Sequence, residues 1–283
     1  MITRRTMMGI AGIAVVIALA VAGLARWGVH GPPPPDPAAC LRLATHVEQA
    51  QCLDPYFHYA IRSGLTRETL RTLMDFVRTG VLDDCHYLAH VFGQVAFEVS
   101  GRLPIALREG SADCLNGYYH GVVEAAVQQA AMEGKLQIAE LCKGARPGGP
   151  AYDACVHGLG HGLMRVYNNV LRSRQECGKL ANDYARDRCI GGVYMQNSMQ
   201  YLNLNDAGYR AAAPHACDGL ALPPDDLAQC FGQIGEIAMF YYRHDLPAAL
   251  EICRAVGSGG DAAACERGAR EELETSQLER RTG

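Results

Sequence analysis

Twelve cysteines fall at regular intervals along the 283-residue chain, and their spacing constrains the fold more than any other feature of the sequence. Cys40 and Cys52, Cys177 and Cys189, and Cys253 and Cys265 are 12 residues apart; Cys142 and Cys155, and Cys217 and Cys230, are 13 apart. Cys85 and Cys114 then pair by elimination. No C-x-x-C occurs anywhere, which removes zinc ribbons, thioredoxin-type redox pairs and covalent haem attachment. The tight thiolate clusters of metallothionein-like proteins are also missing, so the twelve read as six disulfides formed in an oxidising compartment. A bridge closing a dozen residues stabilises by roughly 3 kcal/mol in the chain-entropy model. Six of them can hold a fold that has only six Phe and one Trp.

Helix breakers and caps lie between the members of several pairs: Gly148-Gly149-Pro150, Pro223-Pro224-Asp225-Asp226 and Gly257-Ser258-Gly259-Gly260-Asp261. Each close pair therefore brackets a helix–turn–helix. The second cysteines, at 52, 114, 155, 189, 230 and 265, open amphipathic runs, the last three intervals being 34, 41 and 35 residues. An extra run from Cys85 fills the longest gap. This predicts an all-α, disulfide-stapled array of about six or seven helical hairpins, an α-solenoid in which each hairpin buries its apolar face on its neighbours. In general form the array resembles tetratricopeptide and Sel1-like repeats, without a full match to either consensus.

Aligned on those cysteines, two units share a motif: Cys114-Leu115-Asn116-Gly117-Tyr118-Tyr119-His120-Gly121 and Cys155-Val156-His157-Gly158-Leu159-Gly160-His161-Gly162. The glycine three residues after the cysteine recurs as Gly192 and Gly268, and a helical glycine points to close approach of a neighbouring helix. Six residues after the cysteine stand His58, His120, His161, Met195, Glu236 and Glu271. Three helices carry i, i+4 pairs, His86/His90, His120/Glu124 and His157/His161, each placing two ligand groups on one helix face. Five imidazoles and one carboxylate without a thiolate suit copper, zinc or iron. A non-covalent haem lined by Tyr87, Phe92, Tyr118 and Tyr119 is the less favoured cofactor. The plainer reading makes the same residues a layer of buried hydrogen bonds between hairpins. Met164, Met195, Met199 and Met239 either fill core gaps or form a thioether path for copper(I). His30, His215 and His244 stand outside the pattern.

The N-terminus divides into a basic stretch at 1–6 and an uncharged apolar run from Met7 to Ala25, long enough to span a bilayer. Arg4 and Arg5 precede the run, which places the N-terminus in the cytoplasm and the rest outside. Thr3-Arg4-Arg5-Thr6 also resembles a twin-arginine export signal, and cleavage near Ala22 would make the protein secreted. Residues 26–37 read as a proline-rich spacer, 38–278 as the folded domain, with the acidic and basic residues at its end forming a solvated capping helix, and 279–283 as a tail. From position 27 onward 23 basic residues face 30 acidic ones, which argues against nucleic acid as a partner. No G-x-S-x-G, phosphate-binding glycine loop or H-E-x-x-H is present, so no catalytic residue is assigned. The expectation is an exported, membrane-tethered metal-binding protein using His86, His90, His120, Glu124, His157 and His161. The alternative is an extracytoplasmic scaffold gripping a protein or peptide on the concave face of the array through exposed Tyr201, Tyr209, Tyr241 and Tyr242.

Overall fold

A computed structural model describes residues 36–282 apart from 44, 144, 146–148 and 258. The basic stretch at 1–6, the apolar run at 7–25 and nearly all of the spacer at 26–37 lie outside the described residues. Among the described residues no helix is long and apolar enough to cross a membrane.

The described residues form fourteen α-helices and no strand. In chain order they are α1 (Pro37–Cys40), α2 (His46–Arg62), α3 (Thr66–Arg78), α4 (His86–Ser100), α5 (Leu103–Glu109), α6 (Gly117–Met132) and α7 (Ile138–Leu141). They continue with α8 (Pro150–Tyr167), α9 (Val170–Cys177), α10 (Asp183–Met199), α11 (Asp206–Ala212), α12 (Pro224–Tyr241), α13 (Leu246–Ala255) and α14 (Gly259–Thr282). Their starts follow from local chemistry. The Thr45 side chain caps α2 in a reciprocal box with Glu48, and Asn169, Asn182, Asn205 and Asp245 cap α9, α10, α11 and α13 through their side-chain oxygens. Pro150 and Pro224 occupy the first turns of α8 and α12, where a missing N–H costs no hydrogen bond.

All six disulfides form in the expected pairing. The five close ones tie a short helix or turn to the long helix that follows. The second cysteine of each sits inside that long helix rather than at its start, because the proline and asparagine caps begin the helix several residues earlier.

The tetratricopeptide-like hairpin of two similar helices is not what forms. The long helices α2, α4, α6, α8, α10, α12 and α14, of 15–24 residues, stack on one another in sequence order. The short α5, α9 and α13, of 7–10 residues, each cover the groove between the two long helices that flank them. A short helix has too little apolar face to form a stacking layer of its own. Three modules of long, short and long helix result, α4–α6, α8–α10 and α12–α14, preceded by α1–α3, whose α2 packs on α4.

Glycine contacts mark those modules. A Cβ on Gly93 of α4 would overlap the Tyr118 carbonyl of α6, one on Gly160 of α8 the Cys189 carbonyl of α10, and one on Gly235 of α12 the Cys265 carbonyl of α14. The facing helices answer with Gly117, Gly192 and Gly268, which sit on the carbonyls of His86, His157 and Gly232. Backbones meet so closely that only hydrogen fits between them, a geometry suited to Cα–H···O contacts. Outside the pairs lie two apolar cores, one around Leu53, Phe57, Leu70, Leu88 and Tyr118 and one around Leu159, Val193, Tyr194, Ile234 and Met239, all at most 1% exposed.

The array also closes on itself. Arg280 of α14 donates to the Asp83 carbonyl at 2.5 Å, Arg243 pairs with the Asp83 carboxylate at 3.4 Å, and the Phe240 ring of α12 stacks on His86 of α4 at 5.7 Å. The last helix, which runs to Thr282, is thus a cap that also closes the array: Arg267, Arg270, Glu271 and Glu274 are exposed, while Glu272 is buried against His244.

Two glycines one turn apart separate close approach from helix propensity. Gly235→Ala should lower stability in thermal or urea unfolding by about 1–3 kcal/mol, the cost of overpacking. Gly232→Ala, whose added Cβ would stay 3.7 Å from the Ala264 carbonyl, should be neutral or stabilising by about 0.5–1 kcal/mol. Equal effects at the two positions would refute the close-approach account.

Candidate metal centre

The glycine contacts carry the histidines with them. Gly117 and Gly121 of α6 sit on the carbonyls of His86 and His90, Gly192 of α10 sits on that of His157, and Gly158 of α8 lies 3.1 Å, measured from its added Cβ, from that of His120. Four imidazole-bearing residues are thus clamped at the backbone by the next helix. Their rings and that of His161 meet inside the array, with centroids 4.7–5.6 Å apart for His86/His90, His86/His120, His90/His120, His90/His161, His120/His157, His120/His161 and His157/His161. All five are at most 7% exposed.

Two triads meet the condition for holding an ion, His86/His90/His120 and His120/His157/His161, each with its ligand nitrogens within 4.8 Å of one another. His120 is common to both. The two triads are therefore alternative seats for a single ion, unless His120 loses both ring protons and bridges two.

The outer nitrogens are held and the inner ones are not. His86 Nδ1 contacts the Cys114 carbonyl at 3.1 Å, His90 Nδ1 the Glu124 Oε2 at 3.3 Å, and His161 Nδ1 the Gln196 Oε1 at 3.0 Å. Each partner is an acceptor at that atom, which assigns the proton to Nδ1 and leaves the lone pair on Nε2. The Nε2 atoms of His86, His90 and His161 and the Nδ1 atoms of His120 and His157 are buried with no hydrogen-bond partner. An orienting bond on one nitrogen and an unused lone pair on the other is how histidine is presented to a metal.

The Cys114 carbonyl reaches His86 through an uncommon turn. Cys114, Leu115 and Asn116 all have φ between 52° and 62°, three consecutive left-handed non-glycine residues costing about 1–2 kcal/mol each. The Cys85–Cys114 disulfide, one residue before His86, ties this turn to the start of α4.

Glu124 stands apart from the imidazole cluster's inner side. Its Oε2 faces His90 Nδ1, while its Oε1 accepts from Arg165 Nε at 2.5 Å and from Gln94 at 3.0 Å. Burial pushes its carboxyl up, yet the His90 hydrogen bond and the Arg165 guanidinium outweigh that and hold it at about 2. Burial and the neighbouring His90 hold His86 down to about 4 and His161 to about 3, from an ordinary 6.5. His120 and His157 lie well below the ordinary value, through burial first and their imidazole neighbours second.

Other residues singled out in the sequence separate from this cluster. Phe92 and Tyr118 are in the N-terminal apolar core, Phe92 against Phe57 and the Tyr118 hydroxyl donating to the Ala106 carbonyl, so they do not line the imidazoles. Tyr209 is buried rather than exposed, stacked 3.8 Å from Tyr241, and Tyr242 donates to Asp206. Met195 packs with Ile237 and Phe240, Met239 lies in the C-terminal core, and Met164 and Met199 line a pocket of about 290 Å³ with Arg165 and Gln196. His58 is partly exposed 3.8 Å from Asp54, His215 faces Asp218 at the surface, and His30 lies outside the described residues. Gln94, Arg165 and Gln196, which hold Glu124 and His161, had no sequence signal of their own. Arg165 alone stands one turn beyond His161 on the same face.

The metal-free protein should weaken as pH falls. Native His86 and His161 take up protons only near 4 and 3, whereas unfolded histidine does so near 6.5, so between those values the unfolded chain binds more protons. Stability is then full above 6.5 and lost progressively below it. Glu124 adds a second loss, from its ordinary 4.5 down to about 2. Urea midpoints measured in the presence of a chelator report this; a midpoint flat from pH 7 to 4.5 would contradict it. No family model, curated protein or solved structure matches the chain.

Proposed function

We propose that the protein binds a transition-metal ion through His86, His90, His120, His157 and His161, with Glu124 as the carboxylate that orients His90. The observation that carries this reading is the set of five buried imidazoles with an unused ring nitrogen, three of them with the opposite nitrogen pinned by an acceptor. Leaving five such atoms buried without partners costs about 1–3 kcal/mol apiece, and an ion seated in either triad removes that cost for three of them.

All twelve cysteines are in disulfides, so the donors are imidazoles alone, a set suited to copper, zinc or iron. A bound ion would supply Lewis acidity or redox chemistry, and these residues would supply its orientation and its exclusion from bulk water. Six disulfides fit an exported protein, and the apolar run at 7–25 supplies a membrane tether or a signal.

The test is elemental analysis by plasma mass spectrometry on the oxidised full-length protein, expressed without a histidine tag. Wild type should carry one or two equivalents of copper, zinc or iron, and His120→Ala, which breaks both triads, should carry none. Glu124→Gln should bind the same ion about 10–100-fold more weakly, the usual cost of losing a carboxylate behind a metal-bound histidine. Failure of wild type to retain any of the three ions after reconstitution would return the histidines to a packing role.

A further inference from the structure

A second pair of ligand groups faces each other just outside the five-histidine cluster. The tautomer of His46 is fixed by its surroundings. Gln49 spends both amide hydrogens on the Leu41 and Leu43 carbonyls, each at 3.1 Å, so its Oε1 is the atom 3.2 Å from His46 Nδ1. An acceptor at that position requires the proton on Nδ1 and leaves the lone pair of a neutral ring on Nε2.

That lone pair points at a carboxylate. His46 Nε2 lies 3.8 Å from Asp84 Oδ2; both atoms are buried with no hydrogen-bond partner, and Asp84 is 3% exposed. The other Asp84 oxygen is occupied, accepting from the His86 amide at 3.0 Å. Two acceptors therefore confront each other at a distance too long for a hydrogen bond and suited to a cation between them. Metal bonds of about 2.0–2.2 Å from each atom span it.

The surroundings place this pair on a path. His46, Asp84 and His86 share a void of about 10 Å³ walled by Tyr87, Leu202 and Phe240. About that volume holds one water-sized guest. His46, Tyr87 and Leu202 also line a cleft of about 860 Å³ open to solvent. On its inner side the void is bounded by His86, the first member of the first triad.

We propose that His46 and Asp84 form a transient site for a divalent transition-metal ion, which takes the ion from the cleft and passes it to the five-histidine centre. The relay rests on the metal reading of that centre. Two protein ligands hold an ion loosely, as a relay must, and the Asp84 carboxylate attracts a cation toward a cluster whose donors are imidazoles.

The test is titration of metal-stripped, oxidised full-length protein with cobalt(II), following visible absorption at equilibrium and after rapid mixing. Wild type should take up one weakly held ion beyond the tight ones. Asp84→Asn, which keeps the bond from the His86 amide, should lose only the weak ion and load the tight centre about tenfold more slowly, the low end of electrostatic steering effects. His46→Gln should behave alike, and His215→Gln, at the surface, like wild type. A weak ion that survives in both variants, or loading rates unchanged in both, overturns the proposal and makes the pair an imidazolium–carboxylate contact. A weak ion abolished by Asp84→Asn in a protein that holds no tight ion supports the His46–Asp84 site while overturning the five-histidine reading.

Discussion

The contact on which this architecture depends is a glycine Cα laid against a backbone carbonyl. It occurs in each of the three modules, and in the first two the carbonyls concerned include those of His86, His90 and His157. Helices normally pack 8–10 Å apart, with side chains filling the groove between them. Where glycine removes the side chain, the histidine-bearing backbone of one helix is pressed onto the next, and the rings at its inner edge have little freedom to move apart. Within α4 and within α8 the rings are one turn apart, and the packing of α4 on α6 and of α6 on α8 brings His90 to 5.3 Å from His120 and His120 to 4.7 Å from His157. The disulfides act at a different level. They fix which short segment covers which long helix, and Cys85–Cys114 in addition anchors the turn whose carbonyl meets His86.

Electrostatics then sets what this cavity can hold. Burial and the neighbouring rings hold His86, His120, His157 and His161 below the ordinary histidine value, because a charged ring here would be desolvated beside the others. Two carboxylates stand beside this imidazole lining: Glu124, matched by Arg165, and Asp84, which accepts from the His86 amide. An ion entering this lining keeps its full charge, with no anionic donor to neutralise it. Stabilisation must come from imidazole dipoles and from the acceptors behind them, the Cys114 carbonyl, Glu124 and Gln196, which strengthen as each Nδ1–H becomes more acidic on coordination of Nε2.

Much of this was readable from residue order. The cysteine pairing was legible because five separations of 12 or 13 residues leave one remaining pair, and the i, i+4 histidines were legible because an α-helix puts them on one face. The true repeat was harder to see. Gly158 occupies the same place after its cysteine as Gly117 and Gly192, which suggests a unit of one long helix. In space, Gly158 meets Val123 and His120 across a module boundary, while Gly117, Gly192 and Gly268, 75 and 76 residues apart, make the equivalent contacts. The position of Glu124 behind His90 depends on Arg165, 41 residues later, and no local pattern predicts such a partner. Tyr209 reads as exposed in the sequence, but its ring is buried against Tyr241 and Tyr242 at the end of the next long helix, a contact that local periodicity does not register.

Closure of the array at Asp83 changes its thermodynamic character. In an open stack of repeats each unit touches only its neighbours, the terminal units fray, and unfolding can stop at any boundary. Arg280 and Arg243 on Asp83, and Phe240 on His86, join the third module to the start of the first, so none of the three modules has a free end. Opening any one interface leaves the others in register but costs the contacts of a circle rather than of a chain end. Such a molecule melts as a single cooperative body, and its interior is sealed or breached as a whole, a behaviour closer to that of a closed barrel than to that of a spring.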